Sequence, residues 1–152
     1  MYTEQLTQAL SLPVNSLYPT NGTGTINTIT QISLINYKRL IAHVIQGLGA
    51  GTVTAYWCGC ATTNGTYVAL ATNTVLNLGV SVNTEGTLEV RSDQFTSSQK
   101  YAQLTITVAG TASNIAASVY GGESHYHPAN QFDVATVAAT NPGLIARLVS
   151  PI

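Results

Sequence analysis

Charge is scarce in this sequence. Charged residues make up 7% of its 152 residues, five Lys and Arg against six Asp and Glu, where an ordinary soluble domain carries roughly 25%. Without a basic excess there is no electrostatic footprint for nucleic acid, and without an acidic run there is no solvating tail. Cysteine is nearly absent: Cys58 and Cys60 are the only two. Two cysteines make no framework, and a bond between positions two apart closes a strained ring, so both are expected as reduced thiols made in a cytosol. No stretch approaches the roughly 18 apolar residues of a membrane-spanning helix. The opening Met1-Tyr2-Thr3-Glu4-Gln5 has neither the basic nor the apolar region of a secretory signal. Without that route Asn21-Gly22-Thr23 and Asn64-Gly65-Thr66 read as turns rather than glycosylation sites.

The place of the missing charge is taken by Thr, Ser, Asn, Gln and Gly, while the apolar share stays at 45%. That balance differs from disorder, which pairs low hydrophobicity with high net charge. Periodicity is of period two. Leu104, Ile106 and Val108 alternate with Gln103, Thr105 and Thr107, and Ile115, Ala117 and Val119 repeat the pattern. Arg39–Gln46 and Thr52–Cys60 alternate or form short β-branched and aromatic runs. Gly47-Leu48-Gly49-Ala50-Gly51, Thr63-Asn64-Gly65-Thr66 and Ala109-Gly110-Thr111 punctuate them. The expected fold class is all-β: seven or eight short strands in an antiparallel β-sandwich or jelly roll with extended N- and C-terminal arms. The expected division is an arm over residues 1–20, a sandwich domain over 21–130 and a second arm over 131–152. The first arm holds the weakly amphipathic Leu6–Leu10, Pro13 and Pro19; the second holds Pro142, Pro151 and an apolar set ending at Ile152.

Several patterns invite a chemical reading. Gly47-x-Gly49-x-Gly51 lacks the spacing, the following helix and the downstream acid of a dinucleotide loop, and is expected as a turn. Glu123, His125 and His127 would share one face of an extended strand, as would Cys58 and Cys60. Their spacing of one intervening residue is unlike that of structural zinc sites, so neither a metal nor any other cofactor is expected. Glu89, Arg91 and Asp93 alternate and predict one salt-bridged, exposed strand face. There is no nucleophile elbow, no phosphate loop and no convincing Ser/His/Asp order, and adjacent Ser124-His125 is no dyad signal because triads assemble in space. Nothing here points to an enzyme. Trp57 and eight tyrosines could line a sugar-binding face, although their scatter makes core and interface the default.

From Gly51 to Ala129 the chain resembles small virion proteins of tailed bacteriophages. Thr52-Val53-Thr54-Ala55-Tyr56-Trp57 with the turn Thr62–Tyr67 is similar to their first core hairpin. Leu88–Asp93 running to Tyr101–Val108 is similar to their central strand pair. Ala116–Gly122 closing on Tyr126-His127-Pro128-Ala129 is similar to their final strand and its exit. The resemblance implies a sandwich on a virion shell, without catalysis. It implies a capsid decoration (cement) protein, made in the host cytoplasm and carried on the capsid surface. Its partners would be the major capsid protein and copies of itself, expected as a trimer, with neither nucleic acid nor membrane. Leu6, Leu10, Leu144, Ile145, Leu148 and Ile152 are the arm residues expected to clamp neighbours. The competing expectation is a tail, neck or fibre component, or a glycan-binding surface module of the virion.

Overall fold

A computed structural model describes residues 10–70 and 75–124. The described chain forms seven strands: β1 (Leu10–Ser33), β2 (Tyr37–Gly49), β3 (Thr52–Cys60), β4 (Val68–Ala69), β5 (Leu76–Gly79), β6 (Thr84–Arg91) and β7 (Tyr101–Ser124). A single 3-10 turn, Ser92–Gln94, follows β6. All strand pairs are antiparallel. The fold is all-β, as the alternation predicts, and its organisation follows from two long strands.

β7 runs beside two successive partners. Residues 101–109 pair with β3, and residues 113–124 pair with β2. β1 lies along the opposite side of β7 over nearly its whole length. The sheet therefore creases once, between residues 109 and 113 of β7, and forms two leaves. The first contains residues 24–33 of β1, 101–109 of β7, β3, β4 and β5; the second contains residues 10–22 of β1, 113–124 of β7, β2 and β6.

The apolar pattern records the crease. The large buried apolar residues of β7 are even-numbered before it (Leu104, Ile106, Val108) and odd-numbered after it (Ile115, Val119, with Ala117 between them). β2 and β3 change parity in step: Leu40, Ala42 and Val44 are buried in one leaf, and Val53, Ala55 and Trp57 in the other. A change of parity needs one irregular residue, since side chains alternate strictly along a regular strand. In β7 Gly110, at φ 84, supplies a backbone conformation that other residues adopt only at a cost. Beside the crease, Gln46 Nε2 donates to the Gly51 carbonyl at 2.9 Å, and Gly51 N–H donates to Ser113 Oγ at 2.9 Å. These bonds satisfy polar groups that the turn between β2 and β3 would otherwise bury unpaired.

One core joins the leaves, with Trp57, Leu40, Leu88, Val90, Phe95 and Leu104 in the same cluster. At the open edge β5 of the first leaf closes on β6 of the second: a Cβ added at Gly86 would lie 2.7 Å from a Leu76 methyl. Burying each large apolar side chain contributes roughly 1.5–3 kcal/mol, which gives the closure its driving force.

The expected boundaries shift accordingly. The boundary at residue 20 falls inside β1, because residues 10–20 pair with β7. Ala109-Gly110-Thr111 does not end a strand; β7 passes through it. Leu88–Asp93 and Tyr101–Val108 are not a strand pair, since β6 pairs with β2 and residues 101–109 with β3. Ala116–Gly122 is the second half of β7, not a separate strand. Asp93 lies in the 3-10 turn, not on the strand face of Glu89 and Arg91. The arm over residues 131–152 lies outside the described residues.

Candidate functional site

The first leaf presents a face almost without charge. Opposite the core side, β3 carries Thr54, Tyr56 and Cys58 and β7 carries Gln103, Thr105 and Thr107. The register sets Thr107 between Thr54 and Thr25, Thr105 beside Tyr56, and Gln103 beside Cys58. Alternation explains why these residues share a face; it does not explain their burial. Gln103, Thr105 and Cys58 are only 6%, 4% and 5% exposed.

The loop between β3 and β4 brings Tyr67 to the same face. Tyr67 Oη accepts the Gln31 backbone N–H at 3.1 Å and donates to the Thr63 carbonyl at 3.4 Å. Gln31 Nε2 donates to Asn64 Oδ1 at 3.4 Å. Gln31 sits at φ 65, a left-handed conformation that a residue with a side chain keeps only when its surroundings hold it. The loop and the edge strand are thus tied together above the face. Between them lies an open concavity of about 370 Å³, lined by Thr25, Tyr56, Cys58, Tyr67, Gln103 and Thr105.

Its floor is a chain of neutral hydrogen-bonding groups. Gln103 Nε2 donates to Thr105 Oγ1 at 3.2 Å, and Cys58 Sγ meets that hydroxyl at 3.4 Å. Burial pushes the Cys58 thiol above its ordinary value, partly opposed by the Thr105 bond. Burial also raises the Tyr67 phenol, partly opposed by the Gln31 backbone bond. Thiol and phenol therefore stay protonated at neutral pH, and the concavity carries no charge. It can donate, accept and stack, but it supplies neither a base nor an anion.

The second leaf presents the opposite character. Arg39 Nε lies 3.1 Å from Glu89 Oε1, and His43 Nε2 lies 3.2 Å from Glu85 Oε2. Arg91 Nε lies 3.5 Å from Asp93 Oδ1. The expected salt-bridged face is present, but the cation facing Glu89 comes from the neighbouring strand β2. Such solvent-exposed pairs contribute about 0–1 kcal/mol each.

The remaining sequence candidates separate. Trp57 is 1% exposed in the core, so it is not part of an aromatic surface; Tyr56 and Tyr67 are the aromatics at the concavity. Cys58 and Cys60 are buried and not bonded to each other. Among the described residues no three His, Cys, Asp or Glu cluster as metal ligands. Leu10 opens β1 opposite Gly122. Leu6, Leu144, Ile145, Leu148, Ile152, His125 and His127 lie outside the described residues. Alternation could have paired Tyr56 with Cys58 and Gln103 with Thr105. No local signal places those pairs side by side or folds Tyr67 over them.

No protein-family model matches the chain, and no curated protein sequence matches it. Among solved structures, a chain in the structure of infectious bursal disease virus Gx strain is similar to it, with a TM-score of 0.43 and 12% sequence identity. The alignment covers 76% of this chain and 33% of that one, so the present chain spans about a third of the length of the chain it matches.

Proposed function

We propose that this protein is a non-enzymatic structural component of a virus particle, a capsid decoration (cement) protein of a tailed phage. The observation that carries this reading is β1. It is a 24-residue edge strand without a single Asp, Glu, Lys or Arg, paired among the described residues along β7 alone. A free protein usually blunts a sheet edge with charge, because an edge strand is a template for another chain. Here Pro13, Pro19 and the register shifts along β1 limit which stretches can accept a partner without adding charge. The exposed aliphatics Ile35, Leu48, Val68, Val80 and Val82 and a net charge of −1 also suit life against other subunits better than life as a concentrated monomer. The resemblance of residues 51–129 to small tailed-phage virion proteins points the same way.

In this reading the protein binds the outer face of the major capsid protein as a homo-oligomer, and many symmetry-related copies multiply a modest contact. Quantitative mass spectrometry of virions from a phage encoding the chain tests it. Abundance close to that of the major capsid protein is expected, and removal of residues 133–152 is expected to release the protein without unfolding the two leaves. A handful of copies per particle would assign it to the tail, neck or fibre, and its absence from particles would end the virion reading.

A further inference from the structure

We propose that the concavity on the first leaf is a binding subsite for a neutral pyranose ring of a glycan. This goes beyond the shell role and does not depend on where in a particle the protein sits. The lining decides the chemical class by what it offers. Among the described residues no Lys, Arg or His lines the concavity, so a phosphate, sulfate or uronate would meet no countercharge there, and no carboxylate lines it to meet a cation. An apolar ligand would cover the exposed Thr25 hydroxyl and the polar rim of the concavity without offering a hydrogen bond, at a cost for each group left unpaired.

A sugar ring fits the same groups. Its hydroxyls both donate and accept, as do the Thr25 and Thr105 hydroxyls and the Gln103 amide. One end of that amide is held on Thr105, so its side chain is already oriented within the lining. Tyr56 and Tyr67 supply aromatic surface with a polar tip, the combination that suits a ring with an apolar face and a hydroxylated rim. The volume of about 370 Å³ stands near the lower end of small-ligand pockets, roughly 300–1,000 Å³. That is room for a single ring with the rest of a glycan outside. The site is also held in shape before any ligand arrives. Tyr67 is fixed by Gln31 and Thr63, and Gln31 keeps its left-handed backbone under that loop. Preorganisation of this kind lowers the entropy lost on binding.

The test is NMR titration of the full chain with the methyl glycosides of glucose, galactose, mannose and N-acetylglucosamine, with glucuronic acid as the charged comparison. Millimolar binding of at least one neutral glycoside is expected, with the largest shifts at the Gln103 side-chain amide and the Thr105 amide. Tyr56→Ala is expected to weaken that binding at least tenfold. Thr25→Trp, which fills the mouth from an exposed position on β1 and leaves the core untouched, is expected to abolish it. Failure of all four glycosides to move the Gln103 amide would overturn the proposal. So would shifts mapping to the second leaf, tighter binding of glucuronic acid, or undiminished binding by a folded Thr25→Trp variant.

Discussion

The two leaves share β1, β7 and one core, yet their outer faces differ in kind. The second leaf carries Arg39 paired with Glu89, Arg91 paired with Asp93, and His43 beside Glu85. The first carries Thr, Gln, Tyr and a thiol around a concavity. β7 runs through both, and its positions facing away from the core change from Gln103, Thr105 and Thr107 to Ala116, Ser118 and Tyr120 on crossing the crease. The difference teaches that burial on the first leaf is not confined to the core. Gln103, Thr105 and Cys58 are nearly buried on its outer side, and a face that is to be buried without ion pairs must be neutral, because burying an unpaired charge costs far more than burying a hydroxyl with a partner.

The most damaging way to probe this comparison is Trp57→Ala. Truncating a buried aromatic costs about 3–5 kcal/mol. Because residues of both leaves belong to one cluster, urea unfolding is expected to remain a single transition at a lower midpoint. Two separated transitions would mean that the leaves are independent units sharing only backbone.

A smaller effect sharpens the contrast between the faces. Thr105→Val keeps the shape but removes the hydroxyl shared by Gln103 and Cys58, and is expected to destabilise by about 1–3 kcal/mol, the cost of a nearly buried polar group losing its partner. The same change at exposed Thr87 on β6 is expected to stay within about 0.5 kcal/mol. Equal effects in denaturant titrations would show that the Thr105 hydroxyl is not held in a buried hydrogen-bonded pair.

The gentlest test is pH. Cys58 and Tyr67 both have folded-state pKa values raised by burial, so the folded state holds their protons more tightly than the unfolded chain. The associated stability is fully present below the unfolded values, roughly 8.5 for a thiol and 10 for a phenol, and is lost as pH rises through the raised folded values. Stability is expected to decline on the alkaline side, and Cys58→Ser to make the decline shallower where the thiol titrates. An unchanged slope would mean that the thiol is not sealed.

Much of the core was legible in advance. Leu104, Ile106 and Val108, then Ile115, Ala117 and Val119, announce two inward rows, and Gly47–Gly51 announces the turn. β1 was not legible over residues 10–20, where Pro13 and Pro19 resemble an arm. An edge strand pairs on one side only and tolerates bulges, so it need not show clean alternation. The concavity was half legible. Tyr56 and Cys58, and Gln103 and Thr105, share faces by local periodicity, but their apposition rests on strand pairing between distant stretches of chain, Tyr56 with Thr105 and Cys58 with Gln103.

The sequence by itself determined the strand-forming character, the inward rows of each leaf and the neutrality of the surface, because period-two patterning and composition act within a few residues. Only the tertiary structure decided that β7 continues through Gly110, that Arg39 rather than Arg91 faces Glu89, and that Tyr67 reaches the concavity of the first leaf. Those outcomes depend on which distant strands pair once the sheet creases over its core, and no short segment of chain contains that information.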